Sequence, residues 1–183
     1  AKIPSAEGPT ALIRVEQALT LDPRDVRALG ARARLRFAAA RQVWESGQRT
    51  DGRILSSWEE RRQEALPLST GAIQDLRTAL SLTPSDPFLH ERLAWVHGAV
   101  ATIDASRRSE HLSSAVTHLH RAIALAPENQ FLHRSRATLA VPQGEPFLQV
   151  GLRAARGAVQ RDRGLLTDLV DRFVPLGLSE TQW

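Results

Sequence analysis

The sequence predicts an all-α chain built as a stack of antiparallel helix pairs. Three observations carry that expectation. First, one packing pattern is written three times. Ala11, Val15 and Ala18 stand twelve, eight and five residues before Pro23, Ala72, Leu76 and Ala79 stand at the same offsets before Pro84, and Ala115, Leu119 and Ala122 before Pro127. Two small residues let a neighbouring helix come close, the larger one between them fills the groove, and proline stops the helix. Second, the agreement continues past the prolines. Ala33, Ala94 and Ala137 follow ten residues later, and Phe88-Leu89-His90 and Phe131-Leu132-His133 share one offset. Third, no stretch alternates polar and apolar residues for long enough to make a strand.

Taken in order, residues 1–8 read as an N-terminal tail. Pro9 and Thr10 open a helix that runs to about Leu21, with proline preset for a first turn, and Asp22-Pro23 ends it. Asp25 caps a long helix from Val26 to about Ser46, closed by Gly47. Gln48–Gly52 is a turn, and Ser57-Trp58-Glu59-Glu60 opens a helix with a capping box. Pro67 is expected to kink or break that helix near Leu66, with Ser69 or Thr70 starting the next one, through Leu82. Pro23 and Pro84 are 61 residues apart, so residues 44–70 read as an extended hairpin, with Trp44 and Trp58 packed on each other near its tip. Asp86-Pro87 begins a helix to about Ile103, a loop spans 104–109, and a helix over 110–125 closes that pair. A shorter helix covers Glu128–Ala140, then comes a turn over Val141–Pro146 and a helix over Phe147–Arg161. Residues 164–183 read as a C-terminal capping helix, Leu165–Phe173, and a tail. The first helix has no partner before it. That half pair, the start at Ala1, the absence of methionine and the apolar ending at Trp183 read as a piece cut or processed from a longer chain, with any signal or anchor lying outside it.

The ladder of alanines resembles the second helix of the tetratricopeptide repeat, in which a small, a large and a small residue precede a terminal proline. The resemblance covers residues 9–163. Its last copy is degenerate: Gly151, Ala155 and Ala158 hold the ladder and Arg163 stands where proline would. It implies a right-handed superhelical stack in which the first helices of successive pairs line a concave groove. Carried over by position, the groove residues are Arg27, Gly30, Arg34 and Phe37, then Phe88, Glu91, Trp95 and Gly98, then Arg134, Thr138 and Val141 behind Phe131. Phe88 and Phe131 are equally read as fillers of the joints between repeats. Some members of this family grip a C-terminal carboxylate with lysine and asparagine. The single lysine here is Lys2 and the single asparagine Asn129, so that chemistry is not carried over. The run Gln160–Leu166 also resembles repeat domains of bacterial envelope polysaccharide ligase or polymerase-like membrane proteins.

Composition removes several functional classes. With no cysteine there are no disulfides, thiolate metal sites or cysteine nucleophiles. No run is long and apolar enough to span a membrane. Net charge is only +4, and Lys2 is the one lysine among 24 basic residues. Those arginines are scattered among acidic residues, as on solvated helix faces, and not gathered into the stripe that binds nucleic acid. No Gly-x-Ser-x-Gly elbow or phosphate loop is present. Among the histidines, His118 and His120 face different sides of a helix and His111 shares a face with His118. Neither spacing is that of a zinc helix. His90 and His133 hold equivalent positions, which reads as a packing role. The expected function is therefore non-catalytic and cofactor-free, a scaffold binding a protein or peptide segment in the groove. The alternatives are an extracytoplasmic repeat domain of such a ligase- or polymerase-like membrane protein, self-association through residues 9–21 or 164–183, and weak nucleic-acid binding. The compartment, cytoplasm or periplasm, is left open.

Overall fold

The structure, a computed structural model, describes residues 7–49, 51–140, 147–162 and 164–165. Among these residues are seven α-helices: α1 Glu7–Leu21, α2 Val26–Ser46, α3 Trp58–Leu82, α4 Pro87–Ile103, α5 Arg108–Leu125, α6 Gln130–Ala140 and α7 Phe147–Arg161. A 3-10 turn at Ala105–Arg107 leads into α5. The described residues contain no strand, only an isolated bridge between Gln48 and Ile54. None of their helices is long and apolar enough to cross a membrane.

Helices α1, α3, α5 and α7 all stop in the same way. The residue after each helix donates its N–H to an alanine carbonyl four back: Asp22 to Ala18, Thr83 to Ala79, Ala126 to Ala122 and Asp162 to Ala158, all at 2.8–3.0 Å. The residue three further on then donates to that residue's own carbonyl, as Asp25 to Asp22, Asp86 to Thr83, Asn129 to Ala126 and Leu165 to Asp162. One carbonyl of the last turn and that of the residue just past the helix are thereby engaged at every joint. Three of the joints also supply the next helix with its start. Asp25 and Asp86 accept from backbone N–H groups of α2 and α4, and Asn129 Oδ1 accepts from Phe131 N at 3.0 Å. Each of these residues lies two beyond its proline, so the repeat is written in the turns as well as in the helices.

The helices pack as neighbouring pairs, α2 with α3, α4 with α5 and α6 with α7, and α2, α4 and α6 also touch in succession. Contacts run in opposite directions along each pair. Trp44 meets Trp58 near the loop, and Arg32 meets Asp75 further in. Likewise His97 meets His111 and His90 meets His118. Packing follows the alanine ladder. Ala72, Ala79, Ala115 and Ala122 are 0% exposed, with Leu76 and Leu119 buried between them, and Ala94 and Ala137 are buried on the facing helices. In the degenerate copy Ala155 and Ala158 are buried too, beside Leu152 and Leu165.

Asp75 carries a polar cluster through this core. Its carboxylate, 3% exposed, accepts from Arg32 Nη2 at 2.7 Å and Nε at 3.1 Å, and from Arg36 Nη1 at 2.9 Å. Glu16 of α1 takes the other side of Arg32 at 2.9 Å. One buried acid thus ties α3 to α2, and the second arm reaches α1.

Four expectations shift. The helix break at Pro67 does not occur, and α3 runs unbroken through it. Pro67 and Gln63 lie on the exposed side, so water can donate to the carbonyl that loses its partner, while Ala65, Ser69 and Ala72 stay buried on the other face. Helix α1 begins at Glu7 and not Pro9, because a proline is tolerated where the first N–H groups lack intrahelical partners anyway. Helix α5 begins at Arg108, since the 3-10 turn feeds straight into it. Helix α6 begins at Gln130, because Asn129 acts as its cap. The extended hairpin has the two tryptophan rings packed, centroids 5.1 Å apart. Gly47 closes α2 at φ 69°, and its carbonyl accepts from Leu55 N at 2.7 Å. Of the expected tail, Glu7 and Gly8 belong to α1; residues 1–6, the Val141–Pro146 turn and the capping helix beyond Leu165 lie outside the described residues.

Candidate functional site

A cleft of about 600 Å³ opens between α2, α4 and α6. Helix α2 contributes Ala33, Arg34, Phe37 and Arg41, and α4 contributes Arg92, Trp95, Val96, Gly98 and Ala99. Helix α6 adds Thr138 and Leu139, and Leu76 of α3 closes the floor. The first helices of three pairs therefore meet at one apolar trough edged by arginines, and among the described residues no carboxylate lines it. In its lining α4 and α6 come close at a glycine. A Cβ on Gly98 would lie 2.8 Å from Leu139 Cδ1.

Of the sequence-expected groove residues, Arg34, Phe37, Trp95, Gly98 and Thr138 line this cleft. The others are elsewhere. Arg27, Phe88 and Phe131 occupy the first turns of α2, α4 and α6 and are exposed, Phe88 by 50% and Phe131 by 59%. The two phenylalanines neither line the cleft nor fill a joint. Glu91 is taken up between helices, accepting the hydroxyl of Ser135, and Arg134 is half-buried. Gly30 is buried in the α2–α4 joint, with Arg92 Nη1 3.5 Å from where its Cβ would stand. Val141 lies outside the described residues. Arg92, Arg41 and Ala99 were not anticipated. A helix turns every 3.6 residues, so the stripe facing the groove drifts by about one residue from any fixed spacing.

A second group, of four histidines, lies between α4 and α5. His90 Nδ1 is 3.0 Å from His118 Nδ1, and His97 Nδ1 is 2.9 Å from His111 Nδ1. The His97 and His118 rings stack at 6.0 Å. His90 Nε2 also reaches the Pro84 carbonyl at 3.2 Å, and His133 Nε2 the Pro127 carbonyl at 2.9 Å. A carbonyl only accepts, so Nε2 carries the proton in both rings. In neutral His90 the Nδ1 atom is then the acceptor, and His118 Nδ1 donates to it. The equivalent placement of His90 and His133 is thus a repeated tie from each helix to its preceding turn. Burial, joined by the neighbouring histidine charges and Arg77, pushes His97 down to about 4. Burial and His90, again with Arg77, do the same to His118, to about 4. His111 is lowered by burial and Arg107, against an opposing pull from Glu110 and Asp104. The paired rings turn their Nδ1 atoms on each other, and among the described residues no three or more His, Cys, Asp or Glu side chains assemble to hold a metal.

Elsewhere several arginines are answered by acids: Arg32 and Arg36 by Asp75, Arg49 by Glu64, Arg62 by Glu59 and Asp104, and Arg107 by Glu110. Comparison with protein-family models, with curated proteins and with solved structures gives no match to this chain.

Proposed function

We propose that the chain is a non-catalytic scaffold whose helix pairs wind into a right-handed stack of the tetratricopeptide kind, and whose cleft between α2, α4 and α6 docks a segment of a partner protein. The observation that carries this reading is the convergence of Arg34, Phe37, Trp95, Gly98 and Thr138, from three separate helices, on one trough. Aromatic and arginine side chains around a dry floor are what interface hot spots are made of. At about 600 Å³ the trough is large enough to take side chains of a bound segment. The test is a photocrosslinking residue placed at Ala99, in the trough, and separately at exposed Gln74 on α3. A partner protein crosslinks from position 99 and not from 74. Equal crosslinking from both, or none from 99, removes the docking reading.

A second reading is self-association through α1, favoured by the exposure of Ile13 at 59% and Leu21 at 89%. Sedimentation of the wild type and of Ile13→Glu separates the two, since only self-association through this helix gives a mass that falls with the substitution.

A further inference from the structure

Resting on the docking reading, we infer that the segment the cleft accepts is acidic as well as apolar: a peptide that places a large apolar side chain over Gly98, between Trp95 and Phe37, and a neighbouring carboxylate on Arg34 and Arg92. The floor and the edge of the trough differ in kind. Phe37, Leu76, Trp95, Val96 and Leu139 offer carbon, whereas the charged side chains in the lining are all arginines. Arg41 is answered by Glu45 at 2.7 Å. Arg34 and Arg92 have no ion pair among the described residues, unlike the arginines that stitch the helix pairs together.

Both unanswered cations line the one cleft. Gly30 and Arg34 are one turn apart on the same face of α2. Gly30 has no side chain, and Arg92 Nη1 lies 3.5 Å from where its Cβ would be. The Arg92 guanidinium therefore reaches across from α4 onto the turn of α2 that precedes Arg34. Two like charges on adjacent turns, with no acid between them, make a seat for an anion that arrives with the ligand, and guanidinium groups present forked donors suited to a carboxylate. The apolar floor beside them requires that the anion be attached to something hydrophobic. A basic or purely apolar segment leaves this charge unanswered, and a free inorganic anion leaves the floor wet.

The experiment is selection of twelve-residue peptides from a random displayed library against the wild-type chain, with binding of the recovered peptides followed by tryptophan fluorescence at several salt concentrations. The expected sequences carry Asp or Glu beside Trp, Phe or Leu. Replacing those acids by amides weakens binding at least tenfold. The Arg34→Gln/Arg92→Gln double variant, altered only at exposed side chains and checked for helicity, loses the same factor and is indifferent to the amide change. Recovered peptides that compete at the cleft but show no acid enrichment, and bind the double variant as tightly as wild type, overturn the charge inference and leave the docking reading standing. Recovery of no peptide that is sensitive to Phe37→Ala or Trp95→Phe overturns both. Displacement of every peptide by a long-chain fatty carboxylate that itself binds more tightly overturns the assignment of the occupant as a peptide.

Discussion

Gly98 on α4 and Leu139 on α6 meet so closely that a single methyl group on Gly98 would stand 2.8 Å from Leu139 Cδ1. Both residues line the cleft, at the contact between one helix pair and the next. Gly98→Ala gains about 1 kcal/mol of helix propensity and meets an overpacking cost of about 1–3 kcal/mol, so its net effect in urea unfolding is a loss of up to about 2 kcal/mol. In a Leu139→Ala background the clash is gone, and the same substitution becomes stabilising by about 1 kcal/mol. Additive effects of the two changes would show that the helices do not touch here.

Asp75 is the acid on which two arginines depend. Asp75→Asn keeps the shape and removes the buried charge, leaving the partly buried Arg32 and Arg36 with only the more exposed Glu16 as an acid. The expected loss is about 3–5 kcal/mol, as for breaking a buried pair from one side. Asp75→Leu together with Arg32→Met and Arg36→Met recovers most of it. A single Asn variant as stable as wild type by denaturant titration would mean that the cluster contributes nothing.

The histidine tier makes the α4–α5 pair sensitive to acid. Folded His97 and His118 take up protons only near pH 4, whereas their ordinary value is 6.5. Between those values the unfolded chain binds the extra protons, so stability rises with pH through this window and is level above it. It falls as pH drops from about 6.5 toward 4, by up to about 1.4 kcal/mol per pH unit for each histidine, and by less for the more exposed His118. Arg77 adds to the effect and Glu110 opposes it at His97. Unfolding midpoints between pH 4.5 and 8 should slope for wild type and flatten for His97→Leu/His118→Leu. An unchanged slope in that variant assigns the acid sensitivity to other groups.

Two glycines in the hairpin loop have left-handed backbones but different surroundings. At Gly47, φ 69°, a Cβ would stand 2.8 Å from the Leu55 carbonyl oxygen and 2.7 Å from Arg61. At Gly52, φ 87°, nothing lies within 4 Å. Alanine at position 52 therefore costs about 1 kcal/mol of backbone strain, and alanine at 47 costs more, because the backbone of Leu55 must also move. Thermal melts of the two variants rank them, and the reverse order contradicts the loop geometry.

What could be read in advance was what repeats locally. The alanine ladder, the Asp25 and Asp86 caps, the capping box at Ser57 and the left-handed Gly47 are each fixed by neighbours a few residues away, and all recur in the structure. The Asp75 cluster was missed because it joins residues of three helices. Even so, an acid one position before Leu76, on the face that holds Ala72 and Ala79, was a readable sign. Of the positions expected along the first helices, those at mid-helix are the ones that line the cleft. Positions such as Arg34 and Trp95 face the cleft, while Phe88 and Phe131 sit at first turns beyond it. The row between, Gly30 and Glu91, is consumed in the joints. Pro67 misled because the penalty for an internal proline depends on which face of the helix loses its bond, and that is a property of the packing.

The shared stop at Ala18, Ala79, Ala122 and Ala158 has a consequence for the length of the molecule. The stop is made by main-chain atoms, and the next start by the one capping side chain two past the proline. A duplicate of residues 87–129, which carries its own Asn129, can therefore be spliced in after Asn129 without inventing a new corner. Such a graft would present a second Trp95 beside the first, and the trough would grow by addition, as a ruler is extended.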